Sequence, residues 1–156
     1  MHAQTYPPTK NQPKYVMVSQ PDTHSKVIGY ILWFFFGFLG AHRFYYGKPI
    51  SGIIWFLTLG LLGVGWIVDA FLIPSMDREA DMTYQPGTVD YNVSWGLLWI
   101  FGLFGIHRFY QGKIISGLVY ALTGGLFTIG FAYDVLTLNE QIHEQNIKRQ
   151  SEYAYY

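Results

Sequence analysis

Any chemistry in this chain would have to come from a few polar residues that recur inside apolar stretches: Asp69 and Asp134, His42 and His107, Arg43 and Arg108. The carboxylates are the most expensive. An unpaired one in an apolar phase costs about 3 kcal/mol or more, so each must be paired, neutral or facing water. One arrangement is structural, with Tyr30 bonding Asp69 and Trp95 bonding Asp134, since both positions offer an aromatic donor near the expected level of the acid. The other is a proton or ion relay. A relay needs several polar stations, and the only other polar groups repeated at depth are Thr58 and Thr123, so the structural tie is favoured. Neither histidine has a second histidine or an acid three or four residues away on the same helix, the spacing a metal pair needs. Ser51 and Ser116 follow the histidines by nine residues across a turn, which is a poor nucleophile–base geometry. No metal, cofactor or catalysis is expected.

The elements that hold these residues are visible in the charge pattern. Aromatic residues make up 19% of the 156-residue chain and charged residues 13%, against about 25% charged in soluble domains. From Val27 to Pro74 the charged groups are Arg43, Lys48 and Asp69, and from Val93 to Leu138 they are Arg108, Lys113 and Asp134. The formal net charge is zero and there is no cysteine. A general attraction to nucleic acid is therefore not expected, and disulfides and thiolate metal sites are excluded.

The two apolar blocks are copies of each other. At an offset of 65 residues, 19 of the 46 positions from Gly29 to Pro74 are identical, a direct internal repeat. Each copy holds two apolar segments of roughly 20 residues, the length that crosses a hydrocarbon core of about 30 Å. The expected architecture is an all-α membrane protein with four transmembrane helices, arranged as two tandem, parallel hairpins. The divisions are a polar, disordered tail at 1–26, a first hairpin at 27–74, a polar linker at 75–91, a second hairpin at 92–139 and a polar tail at 140–156. Gly60, Gly63 and Gly65, with Gly124, Gly125 and Gly130, permit either close helix packing or a break after Leu59. Only a second helix that breaks and doubles back would bring Asp69 to Arg43.

The most faithfully repeated element is His42-Arg43-Phe44-Tyr45-x-Gly47-Lys48 against His107-Arg108-Phe109-Tyr110-x-Gly112-Lys113. It reads as a cassette at headgroup level, with basic groups and tyrosine anchoring at the membrane interface. Together with the Ser-Gly that follows and the late aspartate, it closely resembles the TM2 domain family. That resemblance covers most of residues 27–139 and implies a paired transmembrane-helix module, with no established biochemical activity. Family members often carry Asp or His before the Arg-Phe pair, and this chain has His in both copies.

The functional expectation is a membrane scaffold or assembly module rather than an enzyme. Its partners would be the lipid bilayer, with anionic headgroups at the basic turns, and a protein partner or further copies of the chain. The alternative is a small transporter, channel or lipid-handling subunit working as an oligomer. Lysines and arginines nearly balance between the expected turn side and the opposite side. Polar tails and the lack of an apolar leader favour both termini in the cytoplasm.

Overall fold

A computed structural model describes residues 2–6 and 16–153. The stretch 7–15, part of the expected extended start, and the closing residues 154–156 lie outside them. His2–Tyr6 (β1) pairs antiparallel with Val16–Gln20 (β2), Gln4 opposite Val18. The polar start thus carries paired strands where composition suggests a disordered tail.

From Lys26 onward the chain is helical, but the four expected segments are broken. In the first unit α1 (Lys26–Phe36) ends in a 3-10 turn, Gly37–Leu39, and the chain reverses at Gly40 into the short α2 (Ala41–Tyr45). Gly40 is left-handed, φ 74°, and a Cβ there would lie 2.8 Å from the Gly52 carbonyl oxygen; only glycine meets both conditions. Next comes α3 (Pro49–Leu62), with the proline in its first turn, where a missing N–H costs nothing. Helical geometry is lost at Leu59, Gly60 and Leu61, and Gly63 is left-handed. Then α4 (Val64–Thr83) runs back.

The contacts fix these directions. Trp33 and Trp66 stack at 4.9 Å, and each indole N–H donates to the other's backbone carbonyl, at 2.7 and 2.9 Å. Lys26 pairs with Asp77 and Lys48 with Glu79. The Tyr45 hydroxyl returns to Ser25. Phe38 stacks on Trp66, next to the Gly60–Gly63 break. The termini of the unit and its Gly47–Lys48 turn therefore share one polar end, and Gly37–Leu39 and Leu59–Gly63 form the apolar tip. This corrects the expected layout, in which turn and termini occupy opposite sides. The eleven residues of α1 span about 16 Å, roughly half a hydrocarbon core. Among the described residues no helix is long and apolar enough to cross a membrane.

The second unit repeats the plan: α5 (Tyr91–Phe101), a 3-10 turn at Gly102–Phe104, α6 (Ile106–Tyr110), α7 (Ile114–Phe127) and α8 (Ile129–Tyr153). Asp90 caps α5, its side chain accepting from the Val93 N–H at 3.0 Å, which satisfies one of the free first-turn donors. The units lie side by side in the same direction. Tyr45 bonds Asn92 and Tyr84 bonds Glu140 at the polar end, and Phe36 stacks on Trp99 toward the tips.

The packed core also sits at the polar end. Tyr45, Tyr46, Tyr84, Tyr91, Trp95, Ile73, Leu138 and Ile142 form one buried cluster. Residues 140–153, read from sequence as a polar tail, continue α8 and dock on the 85–89 loop. Buried Asn146 accepts from Val89 N and donates to the Val89 and Gln85 carbonyls.

Candidate functional site

Because the chain doubles back twice, the paired histidine and arginine of α2 face the aspartate of α4. His42 Nε2 lies 2.6 Å from Asp69 Oδ2, and the Arg43 guanidinium donates in a fork, Nε to Oδ2 at 2.8 Å and Nη2 to Oδ1 at 2.5 Å. The second unit reproduces it: His107 Nε2 to Asp134 Oδ2 at 2.7 Å, Arg108 Nε to Oδ2 at 2.9 Å and Nη2 to Oδ1 at 2.5 Å. All four His and Asp side chains are fully buried. An aromatic face covers each guanidinium, Trp55 at 3.5 Å from Arg43 and Tyr120 at 4.1 Å from Arg108. A bidentate arginine under an aromatic lid is the arrangement in which a buried ion pair is best satisfied.

This overturns the expected carboxylate partners. The Tyr30 hydroxyl donates instead to the Ala70 carbonyl at 3.0 Å, and Trp95 Nε1 donates to Asn139 Oδ1 at 2.7 Å. The prediction assumed continuous helices, which put Arg43 and Asp69 at opposite ends. The breaks at Gly40 and Gly60–Gly63 bring them together.

The rest of the motif now has physical roles, and most are internal rather than interfacial. Arg43 and Tyr45 are buried where exposed interfacial anchors were expected. The Tyr45 hydroxyl accepts from the Ser25 N–H at 2.7 Å, and the Tyr110 hydroxyl accepts from the Asp90 N–H at 3.2 Å. Ser25 and Asp90 are 65 residues apart, so in both units this tyrosine ties the reversed helix to the start of the first. Phe44 packs on Gly52 and Phe109 on Gly117. Left-handed Gly47 and Gly112 turn the chain into α3 and α7, placing Lys48 beside Glu79 and Lys113 beside Gln141. Thr58, the candidate relay station, donates to the Ile54 carbonyl and accepts from Leu61 N. It caps the break.

Sequence reasoning missed one residue, His24. Its ring is buried among Tyr45, Tyr46, Tyr84 and Tyr91, with centroids 4.9 to 6.1 Å away. Nδ1 lies 2.9 Å from Thr23 Oγ1, which donates on to Asp81. Burial lowers its pKa to about 4, against smaller opposing effects from Asp81, Asn139, the Tyr45 backbone and Asp90. No signal could have found it, because His24 sits in a polar stretch whose partners come from four separate segments. Among the described residues no cluster of three or more His, Cys, Asp or Glu is placed to hold a metal.

Fold and site together define a class: tandem helical-hairpin proteins in which a His-Arg pair on a reversed short helix clamps a buried aspartate from the last helix of the unit. The chain belongs to the TM2 domain family, whose profile matches residues 22–71 and again 88–136. It is similar to a TM2 domain-containing protein of Dictyostelium discoideum, 42% identical over 61 residues, 39% of this chain and 40% of that protein. A second protein of that description from the same organism is 55% identical over 47 residues, 30% of this chain and 34% of its own length. TM2 domain-containing protein 1 of Homo sapiens is 42% identical over 50 residues, 32% of this chain and 24% of that protein. The matches thus span well under half of these relatives. No solved structure matches the chain.

Proposed function

We propose that this protein is a membrane-embedded, non-enzymatic assembly module whose two units enter the bilayer from one face. One observation carries the reading: the apolar and polar residues are placed the opposite way from those of a water-soluble bundle. Leu62 is 90% exposed, Ile115 84% and Phe71 81%, while His42, Asp69, His107 and Asp134 are wholly covered. In water so large an apolar exterior would drive aggregation or association; in hydrocarbon it is solvated. The triads pair the carboxylates with their guanidinium and His Nε2 partners, so that these charges do not meet lipid unpaired.

The end-to-end asymmetry supports one orientation. Lys26, Lys48 and Lys113 sit at the polar end with Asp77, Glu79 and Gln141, and the tip segments 37–39, 59–63, 102–104 and 124–128 carry no lysine or arginine. The near balance expected from four spanning helices becomes a strong bias, which the positive-inside rule assigns to the cytoplasm together with both termini. The charged and amide-bearing helical extensions beyond the apolar segments, 75–83 and 140–153, would meet protein partners there, and the exposed helix faces would meet other copies or other membrane helices.

The absence of cysteine makes the test direct. Single cysteines replace Thr88 at the polar end and Leu62 at the tip, and intact vesicles are treated with an impermeant maleimide from either side. The expected result is carbonate-resistant membrane association, with Thr88→Cys labelled from the cytoplasmic side alone and Leu62→Cys from neither. Labelling of Leu62→Cys from the far side would replace one-face insertion by crossing, and extraction by carbonate would end the membrane reading. For assembly, a stoichiometric partner or oligomer should co-purify from mild detergent and be lost in Arg43→Ala/Arg108→Ala. A lone chain in both would refute it.

A further inference from the structure

The two hairpin turns differ in charge balance. Lys48 is paired with Glu79. Lys113, at the matching turn, donates to the neutral Gln141, and among the described residues no carboxylate lies within ion-pair distance of it, although Glu144 stands at the position that matches Glu79. Gln141 is itself spoken for by Asp134 and Thr137. An ammonium has three donors and this contact uses one, so two N–H groups remain available. Arg108, its neighbour, is already neutralised by Asp134.

Lys113 stands at the polar mouth of a groove of about 1360 Å³ between α7 and α8. Beyond Arg108 its walls are almost wholly apolar, formed by Ile115, Val119, Ile129 and Tyr133. That volume exceeds the roughly 300–1,000 Å³ of ordinary small-molecule pockets, and its outer edge runs into open hydrophobic surface, with Ile129 78% exposed. A cation without a contact ion-pair partner among the described residues, at the headgroup end of a long apolar trough open to the side, matches one chemistry: a negatively charged head on an acyl chain. The first turn of α7 adds its N-terminal dipole at the same spot.

We propose that the second unit binds an anionic phospholipid, its headgroup phosphate on Lys113 and one acyl chain lying along the α7–α8 groove. This rests on the membrane reading above and adds a specific site to it.

Native mass spectrometry of the full chain in neutral detergent, titrated with dioleoyl phosphatidylglycerol or dioleoyl phosphatidylcholine, tests it. One phosphatidylglycerol should bind about ten-fold more tightly than phosphatidylcholine. Lys113→Gln should remove that preference, and Lys48→Gln should leave it in place. Equal affinity for the two lipids, or an equal loss in both lysine variants, would overturn the site. Val119→Trp keeps the charge and fills the groove, so it guards against a Lys113 variant that misfolds. Retained phosphatidylglycerol binding in Val119→Trp would also overturn the site. Flotation of the same proteins with vesicles separates the two levels of the argument. A chain that floats without lipid preference has lost only the site, and one that does not float has lost the membrane reading and the site together.

Discussion

The two units share a plan and the same His-Arg-Asp clamp, yet they close it differently. In the first, Arg43 lies flat on Trp55 and, among the described residues, has Asp69 as its one ion-pair partner. In the second, the Arg108 Nη2 also donates to the Tyr120 hydroxyl at 2.9 Å, and Gln141 donates to Asp134 at 3.1 Å. Trp55 and Tyr120 occupy matching positions, as do Met76 and Gln141. The first clamp is an ion pair with an apolar surround, and the second is embedded in a polar network. The repeated residues define what the fold requires, and the differing ones define how much each copy tolerates.

Removing the carboxylate should expose that difference most strongly. Asp69→Ala leaves Arg43 buried with no acceptor, a loss of the kind that costs about 3–5 kcal/mol. Asp134→Ala should cost less, because Arg108 keeps the Tyr120 oxygen. Thermal unfolding in one detergent should rank the midpoints wild type, then Asp134→Ala, then Asp69→Ala. The double variant Asp134→Ala/Tyr120→Phe should fall toward the Asp69→Ala value. Equal midpoints for the two single variants would show that the extra hydrogen bonds of the second unit contribute nothing.

A second contrast lies at the junction. His24 is matched 65 residues later by Val89, and both are buried. Burial holds the His24 pKa at about 4, below the roughly 6.5 of a free imidazole. The unfolded chain therefore takes up the proton first as pH falls. The stability that neutral His24 provides is complete above pH 6.5 and is lost progressively toward pH 4, on the order of 3 kcal/mol in all. Asp77 acts in the opposite sense, since burial and the nearby Asp81 raise its pKa despite Lys26. The clean measurement is therefore the difference in midpoint between wild type and His24→Val from pH 7 to pH 4. That difference should shift in favour of the valine variant as pH falls. A pH-independent difference would mean that His24 protonates freely in the folded protein.

The sequence pattern made much of this legible, for reasons that also explain the errors. Repetition exposed the two units and every residue of the clamp, because identical spacing in two copies singles out His42, Arg43 and Asp69 against a varying apolar background. Pairing them correctly required knowing that the chain reverses at Gly40 and again at Gly60–Gly63. Glycine in an apolar stretch signals either close packing or a break, and composition does not distinguish the two. Reading the helices as continuous put Asp69 beside Tyr30 and put the turn on the wrong side. The docking of residues 140–153 was invisible for a different reason. Asn146 acts on the backbone of residues 85 and 89, and hydrogen bonds to backbone leave no mark in side-chain pattern.

The smallest difference concerns the second reversal. In the first unit it is made by Leu59, Gly60, Leu61, Leu62 and Gly63, with the three leucines at φ 49–56°. In the second, Gly124, Gly125 and Thr128 have positive φ among the described residues. Leu59 aligns with Gly124, so the first unit holds a leucine in left-handed backbone where the second has the residue that adopts it freely. Left-handed geometry costs a non-glycine residue roughly 1–2 kcal/mol, and Leu59 is half exposed at the tip, so it recovers little of this through packing. Leu59→Gly should accordingly raise the unfolding midpoint by the equivalent of about 1 kcal/mol, and Gly124→Leu should lower it by a similar amount. If Leu59→Gly is instead destabilising, the leucine is held there by contact with lipid at the tip. The same pair of variants measured in detergents of different chain length would then show a dependence on chain length for Leu59 and none for Gly124.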